Sequence, residues 1–556
     1  MLATTGLATS LAVAQSDPLA EPFPPVFELG SLLPSAGGNG LQGFVLVSSR
    51  SRVGLGVSVD AADVDGDGID DVIAGSIGDF SGGTVYVVFG IDGFRAATRD
   101  VQLPGPSDRV AFFRSRPGTL WLGNALSKGD LNGDGFEDLV VGASGTAFEP
   151  IVYCQASGDA FAVFGRERSA WPDRLPIETQ PRINPGCDEY AEVGAAVDMG
   201  DFDGDGIDDI IVAAPHPSGS AGFRPAYVSI FRGGPSPFVQ VLVDIEPTAT
   251  DTLLGARASF VGDVNGDGLE DVVVNEPDHP VSSRAYVIYG GATGPVLVNS
   301  LTPDEGLLLE QDGWPGGSVP YASVGDVNGD GLDDWAFSDS FYGDPVVGAV
   351  YVVYGRTPDD PPLPFPLGPD AIDGEIGFAI TGKQTLGLFG STIAAAGDLN
   401  GDGIDDMLVS ARGYDARGVR DVGATYLIYG QRGGSPASTP VDEIAGTVRF
   451  EGVEQSDRTG SSVGSGDVNG DGVPDIIISA SGADDPPGSG RVYIVYGRAF
   501  PCPADLDGDG DLTILDFLAF QNLFDDDDPI ADFDGDGDLT LFDFLTFQNA
   551  FDAGCP

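Results

Sequence analysis

The stretch Asp63-Val64-Asp65-Gly66-Asp67-Gly68-Ile69-Asp70-Asp71 decides how the chain is read. Its pattern, Asp-x-(Asp/Asn)-Gly-Asp-Gly-x-x-Asp, returns at Asp130, Asp201, Asp263, Asp326, Asp398 and Asp467, with gaps of 67, 71, 62, 63, 72 and 69 residues. Seven copies at a near-constant period mark a repeat architecture in which one supersecondary unit recurs. Oxygen donors stand at positions 1, 3, 5 and 9, a backbone carbonyl serves at position 7, and Gly at position 6 permits a sharp turn. This is the ligand pattern of a calcium loop.

The first loop offers Asp63, Asp65, Asp67, the Ile69 carbonyl and Asp71. The second offers Asp130, Asn132, Asp134, Phe136 and Asp138, and the third Asp201, Asp203, Asp205, Ile207 and Asp209. In the fourth the set is Asp263, Asn265, Asp267, Leu269 and Asp271; in the fifth, Asp326, Asn328, Asp330, Leu332 and Asp334. Asp398, Asn400, Asp402, Ile404 and Asp406 form the sixth, and Asp467, Asn469, Asp471, Val473 and Asp475 the seventh. Hard carboxylates with no His or Cys disfavour zinc and copper. Magnesium demands a tight octahedron and keeps its waters, so calcium is expected, about seven ions in all. The loops are not EF-hands. Position 12, where an EF-hand places a bidentate Glu, is Ala74, Val141, Val212, Val274, Phe337, Val409 or Ile478. These side chains belong to the strand that leaves the loop. The extra Asp, at position 8, of pairs such as Asp70-Asp71 and Asp405-Asp406 reads as a solvated loop residue.

Each loop has the same surroundings. A glycine lies upstream (Gly56, Gly123, Gly194, Gly255, Gly317, Gly390, Gly460), a β-branched run follows, and an aromatic strand ending in Gly comes next, as in Val85-Tyr-Val-Val-Phe-Gly90. Runs of four to six β-formers between Gly, Pro and Asp clusters read as strands. With the linking segments each unit has room for four strands, the content of one propeller blade. The last unit lacks the extra strand that follows the others, while a spare stretch around Phe27-Glu-Leu and Phe44-Val-Leu-Val precedes the first. The N-terminal strand is therefore expected to complete the last blade, leaving no open sheet edge. The fold expected for residues 25–498 is an all-β, seven-bladed β-propeller.

The Gly-anchored strand, the loop and the following apolar strand resemble FG-GAP repeats, which form the propeller of integrin α subunits and of many bacterial surface proteins. The resemblance implies the seven-bladed fold, calcium in the loops, and a binding or adhesion role at a cell surface. The phenylalanine of the motif's name survives only at Phe389-Gly390. Lys128-Gly129-Asp130 looks like a short integrin-ligand tripeptide, but Asp130 is position 1 of a loop, and the tripeptide is set aside.

After Pro501 the pattern changes. Two segments starting at Asp505 and Asp532 align closely, with an acid at position 12 and phenylalanines at helical spacing: Phe517, Phe520 and Phe524, then Phe544, Phe547 and Phe551. Each is a calcium loop entering a short helix. The duplicated loop-helix of residues 501–556 resembles a dockerin, the module by which secreted proteins dock onto cohesins. The resemblance implies two calcium sites: Asp505, Asp507, Asp509, the Asp511 carbonyl, Thr513 and Asp516; and Asp532, Asp534, Asp536, the Asp538 carbonyl, Thr540 and Asp543. It also implies a cohesin-like partner read through Ile514, Leu515, Leu541 and Phe542. The alternative is a calcium-stapled cap with no partner.

Residues 1–14 are small and apolar and end in Ala12-Val13-Ala14, a signal-peptidase pattern without the usual basic start. Residues 15–24 read as a linker. Export makes disulfides reasonable for the four cysteines. Cys502 and Cys555 bracket the tail module, and Cys154 and Cys187 lie in one long insert. With Asp+Glu 86 against Lys+Arg 26, the net charge of −60 repels phosphate backbones and excludes nucleic-acid binding. No apolar run is long enough to span a membrane as a helix. The two histidines, His216 and His279, sit beside prolines, and no nucleophile elbow or zinc-protease motif is present. The expected function is a secreted or surface-displayed, noncatalytic binding propeller with an extracellular protein or glycan ligand. The alternative is an extracellular polysaccharide hydrolase or lyase in a dockerin–cohesin assembly.

Overall fold

The seven runs that leave the acidic loops, from Asp71–Ser76 to Asp475–Ala480, are six-residue strands buried at every position. Their unbroken apolar character follows from burial on both faces, since each is the second strand of a sheet packed between two neighbours. In the computed structural model these strands organise seven sheets. It describes residues 22–498, except 50–52, 79–82, 92–97, 101–109, 115–120, 146–157, 184–190, 217–225, 236–239, 248–252, 278–282, 312–319, 344, 358–359, 362, 365–366, 368–370, 436–437 and 484–487, and, in the tail, 514–525, 531, 533 and 539–553. Residues 1–14 and all four cysteines lie outside the described residues.

Blade 1 runs Leu55–Ala62, Asp71–Ser76, Thr84–Val88 and Val110–Arg114, each strand antiparallel to the one before. Blades 3 to 6 repeat this order. Blade 2 has three named strands, and its outer position is taken by backbone bonds between Ala160–Ala162 and Pro181–Ile183. The acidic loop joins the first strand to the second in every blade. The upstream glycines open the first strand: Gly56, Gly123, Gly390 and Gly460 have φ of 83–84°. A Cβ on Gly56, Gly390 or Gly460 would meet a serine Cβ of the preceding blade at 2.8, 2.7 or 2.4 Å. Hence this glycine lets adjacent blades approach.

Blade 7 holds Val463–Gly466, Asp475–Ala480 and Arg491–Val495, and its fourth strand is Gly43–Val47, antiparallel to Arg491–Val495. The N-terminal segment contributes a second strand as well. In blades 2, 4 and 6 the chain leaving the third strand reaches back and adds a short parallel strand to the blade before: Arg174–Pro176, Val296–Leu297 and Ser438–Pro440. Thr98–Asp100 does the same from blade 1 to Gly43–Val47 of blade 7. Val26–Glu28 performs this step for blade 7, pairing parallel with Val448–Glu451 of blade 6. The two N-terminal strands thus replace, in order, what other blades draw from their own linkers. The core lies in the seams. Between blades 6 and 7, Phe27, Leu29, Leu32, Val45 and Phe450 are 4% exposed or less.

The chain divides into two compact units, Phe23–Gly497 and Arg498–Pro556 with Met1–Pro22. The described part of the tail is chiefly two helices, α1 (Ile514–Asp525) and α2 (Leu541–Ala553). The phenylalanines at helical spacing form their core. Phe520 stacks on Phe547 with centroids 4.4 Å apart, and Phe517 meets Phe544, Phe547 and Phe551 edge-on. Thr540 caps α2, and its N–H donates to the buried Asp543 carboxylate at 2.6 Å, the reciprocal half of a capping box.

Candidate metal centres

Each propeller loop is pre-shaped by its first aspartate. Asp63 Oδ1 accepts the N–H of Gly66 and Asp67 at 2.7 and 3.1 Å, and Oδ2 accepts that of Gly68 at 2.9 Å. Asp130, Asp201, Asp326 and Asp467 hold their loops in the same way. The position-5 carboxylate accepts the N–H of position 7, as Asp67 does from Ile69 at 3.1 Å and Asp402 from Ile404 at 3.0 Å. The donors at positions 1, 3 and 5 therefore line one side of a tight turn.

Position 9 ties the loop to the sheet. Asp71, Asp138, Asp209, Asp271, Asp334, Asp406 and Asp475 are fully buried. Their carboxylates accept the N–H of the glycine ending the third strand, Gly90, Gly165, Gly233, Gly290, Gly355, Gly430 and Gly497, at 2.7–3.0 Å. A Cβ on Gly90 would lie 2.5 Å from the Asp70 carbonyl, so this close approach requires glycine. Burial pushes these carboxyls up: Asp71 to about 9, Asp271, Asp334 and Asp406 to about 8, and Asp138 and Asp209 to about 7. A cation is what lets such buried carboxylates ionise.

Loops 1 and 3, which carry Asp at position 3, show this demand most directly. Ligand oxygens of Asp63, Asp65 and Asp67 lie within 4.8 Å of one another, as do those of Asp201, Asp203 and Asp209. Asp65 Oδ1, Asp203 Oδ1 and Asp209 Oδ2 are buried without a hydrogen-bond partner. A buried anionic oxygen with no donor is costly, and a hard cation supplies the missing partner. The five loops with Asn at position 3 are relieved in part. Asn132 and Asn469 donate their amides to Asp138 and Asp475 at 3.1 and 2.9 Å, and Asn328 and Asn400 donate to Asp330 and Asp402 at 2.9 and 3.1 Å. The donor sets fit calcium in all seven loops.

Loop 3 also has a tethered cation that sequence reasoning missed. Arg232 Nη2 lies 3.0 Å from Asp203 Oδ2 and 2.7 Å from Asp205 Oδ2. Its signal is visible in hindsight, since Arg232 stands where the other blades have Phe89, Phe164, Tyr289, Tyr354, Tyr429 and Tyr496. The guanidinium competes with a metal for the same oxygens. Arg232→Gln should shift the weakest step of a calcium titration to about 2- to 5-fold lower calcium, the scale of an exposed ion pair. An unchanged titration would show that the guanidinium does not oppose loading.

The position-8 acids correct the sequence reading: Asp70 and Asp405 are not solvated loop residues. Asp70 Oδ2 accepts the N–H of Asp467 at 2.9 Å while its own N–H donates to the Asp467 carbonyl at 2.8 Å. Asp405 makes the same two bonds to Asp326 at 2.9 and 3.1 Å, and Asp208 to Asp130 at 2.7 and 3.2 Å. Glu137 accepts from Asp63 at 2.6 Å, and Asp333 from Asp263 at 3.2 Å. Each clamps position 1 of the neighbouring blade's loop, so these loops are linked across their shared seams. Blade 7 has Pro474 at this place, with neither a carboxylate nor an N–H to offer. Asp405→Ala leaves the Asp326 N–H without its acceptor and should cost about 1–3 kcal/mol in urea denaturation. A loss near zero would return Asp405 to the role of a solvated residue. Lys128 of the set-aside tripeptide lies at one of these links, 3.7 Å from Glu137.

In the tail, Thr540 and Asp543 are placed together at the start of α2. Asp505, Asp507, Asp509, Asp511, Thr513, Asp532, Asp534, Asp536 and Asp538 lie outside the described residues, as do the side chains of Asp516 and Leu515. Ile514, Leu541 and Phe542 are 71, 69 and 66% exposed.

FG-GAP repeats are matched at residues 122–152, 389–428 and 459–495, and an FG-GAP-like repeat at 201–274. The chain is 32% identical over 231 residues to Integrin alpha pat-2 of Caenorhabditis elegans, covering 40% of this chain and 17% of that protein. It is 30% identical over 232 residues to Integrin alpha-5 of Xenopus laevis, covering 40% and 19%. It is 26% identical over 449 residues to Phosphatidylinositol-glycan-specific phospholipase D of Homo sapiens, covering 73% and 49%. The chain thus spans less than half the length of these relatives. It carries FG-GAP repeats in a seven-bladed propeller and has homologues among integrin α chains. No helix among the described residues is long and apolar enough to cross a membrane.

Proposed function

We propose that the chain is a noncatalytic, extracellular or cell-surface binding propeller, stapled by calcium in each blade and assembled through its C-terminal module. The observation that carries this reading is the linking of loops across the blade seams. Buried carboxylate oxygens without partners sit in loops 1 and 3, whose turns are clamped to the neighbouring blades, so a cation there holds adjacent blades together. The paired acids that could serve catalysis are engaged: Asp405 in the seam and Asp406 on Leu399 and Gly430. Integrin α relatives support adhesion at a surface. The tail supports docking, because three of the four residues at positions 10 and 11 of its repeats are apolar and exposed. The proposed tail sites add two calcium ions, and the proposed partner is cohesin-like.

The test is a pull-down from the same organism's surface extract. Replacing Ile514, Leu515, Leu541 and Phe542 together by Asp should abolish capture through the tail, because burying unpaired carboxylates in an apolar contact costs several kcal/mol. Changing one pair should weaken it only mildly. Full capture by the quadruple variant would overturn docking at these residues. A hydrolytic role is the second reading, favoured by the similarity to a phospholipase D over 73% of the chain. Turnover in a phosphodiester and glycoside hydrolysis screen of the calcium-loaded chain would replace the noncatalytic reading.

A further inference from the structure

The seam between blades 4 and 5 contains a cavity of about 360 Å³ whose lining has the chemistry of a ligand site. Its floor is apolar, made by Leu307, Trp335 and Tyr354, all under 9% exposed, with Tyr289 beside them. Its rim is two pinned turns. Thr302 donates its N–H and hydroxyl to Glu305 at 3.1 and 2.7 Å, which holds Asp304 at the mouth. Thr357 donates both groups to Asp360 at 2.9 Å. Between the turns stands Arg356, anchored by its own N–H on the Val264 carbonyl at 3.0 Å and by Nη2 on the Pro361 carbonyl at 3.1 Å. Its Nε is buried with no acceptor.

The seam between blades 1 and 2 shows what fills such a place. There Arg166 occupies the equivalent position, with its N–H on the Val64 carbonyl at 2.9 Å, but its Nε and Nη2 are spent on the Phe164 carbonyl at 3.0 and 2.6 Å. Trp171 packs into the seam against Phe89 and Phe113. In the blade 4–5 seam the space stays open and the guanidinium keeps a free donor.

We infer that this cavity binds a neutral saccharide residue. This deepens the binding reading above and rests on it. The Arg356 Nε–H calls for an acceptor, while the Asp304 carboxylate calls for a donor. A hydroxyl serves both, and a sugar ring presents several at fixed spacing. Its C–H face packs on the aromatic floor. Outside the calcium loop, the two lining carboxylates, Asp304 and Asp360, against one guanidinium disfavour an anionic ligand, and Arg356 disfavours a cationic one. The volume is at the low end for small-molecule sites, suited to one or two rings.

Isothermal titration of the full, calcium-loaded chain tests this. The probes are the methyl glycosides of glucose, galactose, mannose and N-acetylglucosamine, their disaccharides, and methyl glucuronoside as the anionic counterpart. At least one neutral probe should bind below about 10 mM. Arg356→Gln and Asp304→Asn should each weaken it by about 10-fold or more at unchanged melting temperature, the loss of a hydrogen bond to a charged group. Thr357→Trp, which fills the mouth, should abolish it. Asp415→Asn, in a hairpin of blade 6, should change nothing. Binding of free glycosides assigns the site to small sugars, whereas binding only of array-immobilised chains assigns it to a glycan terminus, and either upholds the inference. It is overturned if no neutral probe or array glycan binds, if glucuronoside binds better, or if Arg356→Gln and Asp304→Asn bind like the parent. Surface-extract capture that survives Arg356→Gln while all sugars fail would remove this site and leave the binding reading standing.

Discussion

Deleting residues 1–49 should unfold the propeller rather than trim it. The deletion removes Val26–Glu28 and Gly43–Val47, and with them the outer strand of blade 7 and the parallel edge of blade 6. Arg491–Val495 is left with an open edge. The blade 6–7 core loses Phe27, Leu29, Leu32 and Val45, all buried. At about 1.5–3 kcal/mol for each buried side chain, the loss matches the whole stability of an ordinary domain, about 5–15 kcal/mol. Val45→Asp, which puts a charge at a fully buried site, should act in the same direction at smaller scale. Circular dichroism and gel filtration should find the truncated chain expanded, without a cooperative melt. A truncated chain melting within a few degrees of the parent would mean that the ring closes without its N-terminal strands.

Chelation should have the second large effect. A metal that binds only the folded state stabilises by about 2.7 kcal/mol per site at a hundredfold excess over its dissociation constant, and seven such sites add up. A calcium chelator at low ionic strength should therefore lower the melting temperature by at least about 15 °C. The chelated protein should also show a distinctive pH dependence. Its position-9 carboxyls have folded pKa values raised by burial to about 7–9, from Asp138 and Asp209 to Asp71. A raised pKa means that the folded state holds the proton more tightly. That contribution is full below the ordinary carboxyl pKa of 3.8 and is lost as pH rises through 7–9. The chelated chain should melt lower at pH 9 than at pH 6, and added calcium should remove the difference by replacing the proton. A chelated chain with a flat pH profile and an unchanged melting temperature would leave no role for a metal in the loops.

Much of this ring was legible in the residues because its strongest signals are local. The loop pattern needs only nine residues, and the fully buried second strands announce themselves as unbroken apolar runs such as Asp475-Ile-Ile-Ile. The closing strand was legible as a missing unit at one end and a spare one at the other. What escaped depends on neighbours distant in sequence. Asp405 looks like any acid in a polar loop until blade 6 is set against Asp326 of blade 5. The parallel edge strands are two or three residues long, and Val296–Leu297 has no periodicity to read. Arg232 breaks an aromatic column that becomes meaningful only when the loop beneath it is in place.

Native mass spectrometry of the full chain tests the central claim most directly, because it counts bound calcium. Seven propeller loops and two tail loops should give nine ions, and Asp402→Ala, which removes the position-5 ligand of the sixth blade alone, should give eight with the ring still closed. Fewer than seven ions on the parent chain, or the loss of several together from Asp402→Ala, would contradict a propeller in which each blade holds its own calcium.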